Sequence, residues 1–431
     1  MTTCRLCGST NTASVVDLGA TPPCERFLTA EQLDEAEATF PLHLKVCTDC
    51  WLAQIPPLID PGDTFTEYAY FSSFSTSWVE HAKRFVDSSV ERLGLGEKSF
   101  VVEVASNDGY LLKHVVGHGI RCLGVEPSVN VGQAARDAGV PTLTAFLSEE
   151  TGLAVREEHG PADLVAANNV YAHIPDVLGF TKGLRALVAD DGWVSIEVQH
   201  LLTLIEKNQY DTIYHEHFQY YTVESARRAL ATGGLTVVDV ELVPTHGGSI
   251  RLWARPTEAL GGFRVAEPPA RGGAPVVTAV AGEPSERMTD VLEREKAAGL
   301  HELSGYTEFA ERVTRVRLDL LKFLIEARND GKTVVGYGAP GKGNTLLNHC
   351  GVRTDLLQYT VDRNPYKHGR FTPGTRIPVL PPERIEADRP DYVLVLPWNL
   401  REELTGQLSY IGAWGGKLVF PIPHLEIVEV Q

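Results

Sequence analysis

The sequence FVVEVASNDGYLL, at residues 100–112, is the stretch that decides the fold of this chain. Its apolar first half predicts a buried strand, its small and polar middle predicts a tight turn, and its end predicts the start of a helix. A strand, a turn and a helix in this order are typical of the opening of a doubly wound α/β domain. The turn lacks the three glycines that a nicotinamide-binding fingerprint places there.

Three later stretches continue the alternation of strands and helices. Residues 122–127 predict a second strand that ends at Glu126, where a carboxylate can accept both hydroxyls of a ribose. Residues 162–176 predict another strand with Asn169 and His173 at its end, and residues 192–198 predict one more. Because ligands of such domains bind outside the carboxyl ends of the strands, we expect these polar residues to line one crevice.

The segment DTIYHEHF, at residues 211–218, contains four adjacent residues that can move or hold protons. They are Tyr214, His215, Glu216 and His217. Histidine titrates near neutral pH, so His217 or His215 could take a proton from carbon, and Tyr214 could hold an oxyanion. The alternative is a loop whose histidines only hydrogen-bond to the backbone.

Two Cys-x-x-Cys pairs near the amino terminus indicate a four-thiolate zinc site. Their members are Cys4, Cys7, Cys47 and Cys50. Four thiolates leave no open coordination position, so we expect the zinc to be structural, with redox cysteines as the alternative. A nucleic-acid-binding finger is disfavoured because residues 1–60 contain three Lys or Arg against eight Asp or Glu. The other three cysteines are expected to be packed in the interior.

The composition is that of a soluble protein with several domains. At 431 residues the chain suggests about three domains. The sequence shows neither an apolar run of membrane-spanning length nor a signal peptide, so we expect a cytoplasmic protein without membrane contact. The formal net charge of -17 argues against sequence-independent binding of nucleic acid.

The sequence TVVGYGAPGKGN, at residues 333–344, leaves two functions open. Three glycines of residues 336–341 fit Gly-x-Gly-x-x-Gly after a strand, and Asp362 ends the next strand, as in nicotinamide-dependent dehydrogenases. The phosphate-loop pattern fails at Gly343, where the magnesium-binding Ser or Thr belongs. The amides of this helix start would suit a diphosphate, and glycines needed only for a tight turn are the simpler alternative.

The motifs together resemble one family. Glu-x-Ala-x-Asn-x-Gly, from Glu103 onward, is a variant of the first motif of methyltransferases that use S-adenosylmethionine. With residues 170–176 and 214–217, it resembles the sugar C-methyltransferases of deoxysugar and antibiotic biosynthesis. Those enzymes also have an amino-terminal zinc module with two Cys-x-x-Cys pairs, so the resemblance extends over nearly the whole chain.

The resemblance implies an α/β protein with a small zinc-binding module, a central doubly wound methyltransferase domain and a second Rossmann-like domain. The last would help to bind a nucleotide-sugar and would need no redox cofactor. A hydroxyl-rich and aromatic stretch at residues 67–75 is interpreted as a lid over a polar ligand, with core packing as the alternative. The expected limits are 1–75 for the zinc module and lid, 76–260 for the methyltransferase domain, 261–300 for a linker, and 301–431 for the carboxyl-terminal domain.

The implied reaction is methylation of a carbon next to the ketone of a dTDP-linked 4-keto-6-deoxysugar through an enolate, with carbon 3 favoured and carbon 5 left open as the alternative. By resemblance His217 would be the base and Glu216 would orient or relay, while Tyr214, His173 and Tyr68 would contact the oxygen. The S-adenosylmethionine site would consist of Glu103, Asn107, Gly109, Glu126 and Asn169. The substrate-binding residues would be Tyr70, Ser72, Gly341, Lys342 and Asn344.

Two alternatives remain at this point, and both leave residues 214–217 without a role. One is an NAD(P)-dependent oxidoreductase acting on a nucleotide-sugar, and the other is a zinc-dependent interaction or nucleic-acid module. The expected partner is a small-molecule nucleotide-sugar, and the chain is expected to be a monomer or a small homo-oligomer.

Overall fold

The structure is a computed structural model that describes residues 3–60, 62, 71–260, 264–265, 277–279 and 284–430. The chain forms two compact units. The first consists of Met1–Thr12, Cys47–His200 and Phe218–His301, and the second of Ala13–Val46, Leu201–His217 and Glu302–Gln431.

The described residues form strands and helices in alternation over most of the chain. The strands are β1 Thr12–Thr21, β2 Phe40–Cys47, β3 Ala53–Gln54, β4 Phe100–Val104, β5 Arg121–Val125, β6 Thr142–Leu143, β7 Ala162–Asn168, β8 Val188–Gln199, β9 Gln219–Tyr220, β10 Leu235–Val243, β11 Ser249–Pro256, β12 Arg264–Val265, β13 Val277–Ala279, β14 Val334–Tyr337, β15 Thr360–Val361, β16 Val379–Leu380, β17 Tyr392–Val395, β18 Lys417–Phe420 and β19 Glu426–Glu429. The helices are α1 Thr76–Leu93, α2 Leu112–Gly117, α3 Val129–Asp137, α4 Glu149–His159, α5 Val177–Leu187, α6 Leu201–Glu206, α7 Val223–Thr232, α8 Glu286–Ala297, α9 Ser304–Thr307, α10 Phe309–Asn329, α11 Gly341–Cys350, α12 Glu383–Asp388 and α13 Arg401–Gln407.

A seven-stranded sheet in the order β10-β11-β8-β7-β4-β5-β6 forms the centre of the first unit. Strands β4 to β8 pair in parallel, whereas β11 runs antiparallel to both β8 and β10. Val101 belongs to a buried cluster with side chains of α1 and α2, and Val102 belongs to another with side chains of α5 and α7. Because successive residues of a strand point to opposite faces, helices cover both faces of this sheet.

A six-stranded sheet in the order β16-β15-β14-β17-β18-β19 forms the centre of the second unit. Its strands pair in parallel except for β19, which runs antiparallel to β18. The order is that of a doubly wound sheet. The predicted α/β class, with two Rossmann-like sheets, is therefore confirmed.

The two units differ from the expected domains at two places. The segment between the Cys-x-x-Cys pairs forms β1 and β2, and residues 13–46 belong to the second unit, whereas both pairs belong to the first. Residues 261–300, expected to be a linker, contain α8, whose Met288 and Val291 join the core of the first unit. Composition did not reveal this helix because the glycine-rich and proline-rich residues before it dominate the segment. The four domain limits stay predictions.

In the described part of the chain, none of the helices is both long and apolar enough to cross a membrane.

Candidate active site and zinc site

The four cysteines of the two Cys-x-x-Cys pairs converge in the first unit. Their sulfur atoms all lie within 4.8 Å of one another, and none of the four is in a disulfide. The Sγ atoms of Cys4 and Cys50 are 3.5 Å apart, and those of Cys7 and Cys47 are 3.6 Å apart. Tetrahedral zinc with Zn–S bonds of about 2.3 Å requires sulfur separations of about 3.8 Å. The four thiolates therefore fit a zinc ion.

Both cysteine pairs are shaped by the same backbone turn. The amide of Gly8 donates to the carbonyl of Cys4 at 2.8 Å, and the amide of Trp51 donates to the carbonyl of Cys47 at 2.9 Å. Gly8 and Trp51 both have a positive φ, 71° and 60°, which turns the chain back after the second cysteine of each pair. The two sulfur atoms of each pair thereby face the same side.

Arg5 connects the first cysteine pair to the polypeptide that follows His217. Its guanidinium donates to Gln219 Oε1 at 3.0 Å and to the carbonyl of Ile55 at 2.5 Å, and it lies 5.4 Å from the ring centroid of Phe218. Folding of the zinc module therefore determines where residues 218 and 219 lie within the first unit.

Two residues of the turn after β4, where S-adenosylmethionine is expected to bind, have a left-handed backbone conformation. Asn107 and Gly109 both have a positive φ, 51° and 78°. A Cβ on Gly109 would lie 2.9 Å from Val140, so a glycine is required both by conformation and by space. The carboxylate of Glu103 is buried just before the turn, and its pKa is raised by burial and by the neighbouring carboxylates of Glu126 and Asp108.

Glu126 joins the end of β5 to the turn after β4. One carboxylate oxygen accepts the amide of Asn107 and the other accepts the amide of Ser128, each at 2.9 Å. Burial raises the pKa of Glu126, and these backbone hydrogen bonds oppose the rise. The sequence predicted this carboxylate at the strand end, and the structure places it in contact with the amide of Asn107.

Asn169 and His173 follow β7, the strand next to β4. Asn169 has a φ of 54° and donates its amide to the carbonyl of Glu197 at 2.7 Å. The side-chain nitrogen of Asn169 is buried and finds no hydrogen-bond partner among the described residues, and the same holds for Oδ1 of Asp108. Buried polar atoms that lack a protein partner suit a polar ligand such as S-adenosylmethionine.

His173 ends a 3-10 turn, Tyr171–His173, that residues after His217 hold in place. Gln219 donates to the carbonyls of both Tyr171 and Ile174 at 2.8 Å, and the amide of Phe218 donates to the carbonyl of Ala172 at 2.8 Å. Gln219 could not be predicted from the sequence, since nothing in its spacing connects it with residues 171–174.

His217 and Tyr214 form a hydrogen-bonded pair in the second unit. The hydroxyl of Tyr214 lies 2.8 Å from His217 Nε2, and His217 Nδ1 lies 3.0 Å from the carbonyl of Thr212. A carbonyl only accepts hydrogen bonds, so Nδ1 carries the proton. In the neutral ring Nε2 then accepts the hydrogen bond of the Tyr214 hydroxyl.

The other two residues of the segment are buried and have other partners. His215 Nε2 lies 3.0 Å from the carbonyl of Phe40, and burial lowers the pKa of His215. Glu216 lies 3.8 Å from the sulfur of Cys24, and burial together with Glu25 raises its pKa to about 8. Tyr214 and His217 are partly exposed. Burial therefore distinguishes His217 from His215 as the histidine that a substrate can reach.

Cys24 brings together residues that the sequence placed far apart. The side chain of Asn344 donates to the Cys24 carbonyl at 2.7 Å, and a Cβ on Gly341 would lie 2.8 Å from the Cys24 sulfur. The same added Cβ would lie 3.0 Å from the carboxylate of Glu25. Burial raises the pKa of the Cys24 thiol well above its usual value, so it is a packed residue.

Side chains of the same protein contact the glycine-rich turn before α11. Asp362, at the strand end where a dehydrogenase binds ribose, accepts the amide of Ala339 at 2.7 Å. Glu25 lies at the start of α11 and pairs with Lys367 at 3.3 Å. A carboxylate of the protein thus lies where the phosphates of a dinucleotide or of a nucleotide-sugar would have to approach, which argues against the predicted diphosphate site at this turn and against the oxidoreductase alternative.

Three predicted residues remain to be placed. Ser72 belongs to the first unit, where its amide donates to Oδ1 of Asn107 at 2.8 Å. Its backbone thus contacts the turn after β4. Tyr68 and Tyr70, the two tyrosines of the predicted lid, lie outside the described residues.

Comparisons with known proteins cover nearly the whole chain. Three family models match it: a zinc binding domain at residues 4–65, a methyltransferase domain at residues 78–240, and a C-methyltransferase C-terminal domain at residues 269–423. The chain is 36% identical to the C-methyltransferase NovU of Streptomyces niveus over 428 residues, which is 99% of this chain and 97% of NovU.

Solved structures also show local likenesses. Magnesium protoporphyrin IX methyltransferase from Synechocystis PCC 6803, with bound S-adenosylmethionine, is 17% identical, with 41% of this chain and 80% of that chain covered and a TM-score of 0.31. The PH0226 protein from Pyrococcus horikoshii OT3 is 13% identical, with 44% and 95% covered and a TM-score of 0.34. Both likenesses are confined to less than half of this chain.

Proposed function

Since this chain belongs to the family of S-adenosylmethionine-dependent C-methyltransferases with an amino-terminal zinc-binding domain, we propose that it methylates a nucleotide-linked ketosugar. The substrate is a dTDP-4-keto-6-deoxysugar, and the methyl group goes to a ring carbon next to the ketone, carbon 3 in preference to carbon 5. The product serves deoxysugar and antibiotic biosynthesis.

The observation that supports this reaction is the His217 pair. Nδ1 of His217 is bound to the Thr212 carbonyl, and Nε2 carries the lone pair. That lone pair takes the proton from the carbon next to the ketone, while the electrons of the C–H bond move onto the ketone oxygen and give an enolate. When the ketosugar binds, the Tyr214 hydroxyl turns from Nε2 to this oxygen and donates to it, which leaves the lone pair of Nε2 to take the proton.

The enolate needs an electrophile. S-adenosylmethionine supplies a methyl group on a sulfonium, so that a C–C bond forms as the S–CH₃ bond breaks and sulfur keeps the electron pair. The residues proposed to hold this donor are Glu103, Asn107, Gly109, Glu126 and Asn169. Two observations support this assignment: the buried carboxylate of Glu126 after β5 accepts the amide of Asn107, and the turn after β4 requires a glycine at position 109.

Transfer of an isotopic methyl group tests the proposal. The protein is incubated with S-adenosylmethionine labelled with carbon-13 in the methyl group and with a panel of dTDP-4-keto-6-deoxysugars, and the products are examined by NMR. The proposal predicts a new carbon-13 methyl signal coupled to ring carbon 3 for at least one sugar. No transfer to any sugar of the panel rejects the substrate class. Oxidation of reduced nicotinamide cofactor instead would establish the alternative oxidoreductase.

A further inference from the structure

The position of the carbonyl that holds His217 depends on one short turn. Thr212 ends the 3-10 turn Tyr210–Thr212, and its carbonyl lies 3.0 Å from His217 Nδ1. Within the turn, the hydroxyl of Thr212 donates to the carbonyl of Gln209 at 2.7 Å. A shift of this turn would move the hydrogen-bond acceptor that selects the tautomer of His217.

The middle residue of the turn is a buried carboxylate that is bound from the carboxyl-terminal part of the chain. Asp211 is fully buried, and its Oδ2 accepts the indole N–H of Trp398 at 2.6 Å. Its Oδ1 has no hydrogen-bond partner in the described part of the chain. Trp398 begins the 3-10 turn Trp398–Leu400 that follows β17. One hydrogen bond thus ties this loop to the turn before His217.

Lys342 completes the cluster. Its ammonium donates to Oδ1 of Asn399 at 2.5 Å and lies 4.9 Å from the ring centroid of Trp398, within range of a cation–π interaction. Burial raises the pKa of Asp211 to about 7, which Lys342 opposes, and burial lowers the pKa of Lys342 to about 8, which Asp211 opposes. The carboxylate and the ammonium therefore stabilise each other's charged form.

We infer that Asp211, Trp398 and Lys342 are positioning residues that hold the Thr212 carbonyl and thereby keep the proton of His217 on Nδ1. The inference rests on the proposed function for the role of His217 as base. It gives Lys342 a task different from the substrate contact that the sequence suggested. The glycine-rich stretch at residues 333–344 and the turn Trp398–Leu400 then act together on residues 211–217.

The variant Trp398→Phe tests the inference because it keeps an aromatic ring and removes the N–H that binds Asp211. A matched control is Trp414→Phe, which removes the indole N–H that donates to the carbonyl of Pro390 at 3.0 Å in the same unit. Two quantities are measured in both variants: the rate of solvent deuterium uptake by a dTDP-4-keto-6-deoxysugar, and the nitrogen-15 NMR signals of labelled histidine. The signals of His217 are identified as those that disappear in His217→Asn.

For Trp398→Phe we expect deuterium uptake to slow by roughly 10- to 100-fold, since small displacements of a catalytic group cost rates of this order. The KM of the ketosugar should change less than about threefold, because the N–H acts through the loop and not on the substrate. The signals of His217 should show less of the Nδ1–H tautomer. Trp414→Phe should match the wild type in both measurements.

Unchanged deuterium uptake and unchanged His217 signals in folded Trp398→Phe would overturn the inference. If Trp398→Phe does not fold, Lys342→Met is measured in the same way, and the same two results decide. A wild-type protein that exchanges no ketosugar at all would count against the proposed function. The histidine signals need no substrate, and they would still decide whether the cluster controls the tautomer.

Discussion

At the scale of single residues, His217 and His215 show what sequence can and cannot decide. Both are histidines two positions apart, and pattern alone leaves either as the base. The structure separates them, because His215 is buried against the Phe40 carbonyl whereas His217 is partly exposed and bonded to Tyr214. The acceptor on Nδ1, the Thr212 carbonyl, is a backbone atom and leaves no signal in the sequence.

Tyr214→Phe removes the hydroxyl that lies 2.8 Å from His217 Nε2. We expect deuterium uptake by the ketosugar to slow by roughly 100- to 1,000-fold, since a lost oxyanion donor costs rates of that order. Affinity for S-adenosylmethionine, measured by calorimetry, should stay unchanged. Tyr366→Phe, at an exposed tyrosine, serves as the control. Wild-type uptake in Tyr214→Phe would remove this hydroxyl from the mechanism.

Glu216 makes stability depend on pH. The pKa of Glu216 is about 8 in the folded protein, raised by burial and by Glu25, whereas an unfolded chain has about 4.3. Between these values the folded state binds the extra proton, so the free energy of unfolding falls as the pH rises. The glutamine in Glu216→Gln cannot ionise, so this fall in the free energy of unfolding is absent from the variant. Relative to wild type, its free energy of unfolding should gain roughly 1–4 kcal/mol from pH 5 to pH 8. Urea denaturation measures both proteins at each pH. A difference in free energy of unfolding between Glu216→Gln and wild type that stays constant from pH 5 to pH 8 would contradict this.

At the scale of elements, local sequence patterns predicted the strand-turn-helix units correctly. They did not predict which side chains from other parts of the chain contact these units. The turn before α11 follows β14 as the glycine pattern indicates. Asp362, which contacts this turn, was predictable as the residue that ends the next strand, whereas Glu25 comes from a distant part of the chain and could not be predicted. The apolar pattern of β4 and the carboxylate after β5 were likewise predictable, whereas the helix α8 inside residues 261–300 was not.

Helix α8 supplies a fully buried carboxylate that the start of α7 requires. Glu295 accepts the amide of Val223 at 2.6 Å and lies 2.9 Å from His200 Nε2. Glu295→Ala leaves these donors buried without a partner, so we expect the free energy of unfolding to fall by about 2–4 kcal/mol. Urea denaturation measures the change. Glu293→Ala, on the exposed face of the same helix, should change it by less than about 0.5 kcal/mol. An equal effect of the two variants would contradict the argument.

At the scale of the whole molecule, the order of zinc module, methyltransferase domain and second Rossmann-like domain could be predicted because each part has a local motif. The assignment of residues 13–46 to the second unit could not, because it depends on contacts between segments that share no motif. The leucine at position 28, for instance, pairs with Phe371 in an isolated bridge. Long-range pairing of this kind is determined by three-dimensional packing and cannot be inferred from the spacing of residues along the sequence.

The zinc site provides a test at this scale. Cys50→Ser removes one of four thiolates, so we expect the protein to lose its single zinc ion and its Tm to fall by at least about 5 °C. Zinc content is measured by atomic emission and Tm by calorimetry. Cys122→Ser, at a buried cysteine of β5 outside the cluster, should keep one zinc per chain. Full zinc content in Cys50→Ser would show that the four thiolates do not act as one site.

The central claim is that His217 removes a proton from the carbon next to the ketone. It is tested by incubating a dTDP-4-keto-6-deoxysugar in deuterated water with His217→Asn and with wild type, without S-adenosylmethionine, and following the carbon 3 proton by NMR. We expect the wild type to exchange this proton and His217→Asn to exchange it at least about 100-fold more slowly, with affinity for S-adenosylmethionine nearly unchanged. Exchange at the wild-type rate in His217→Asn would contradict the account.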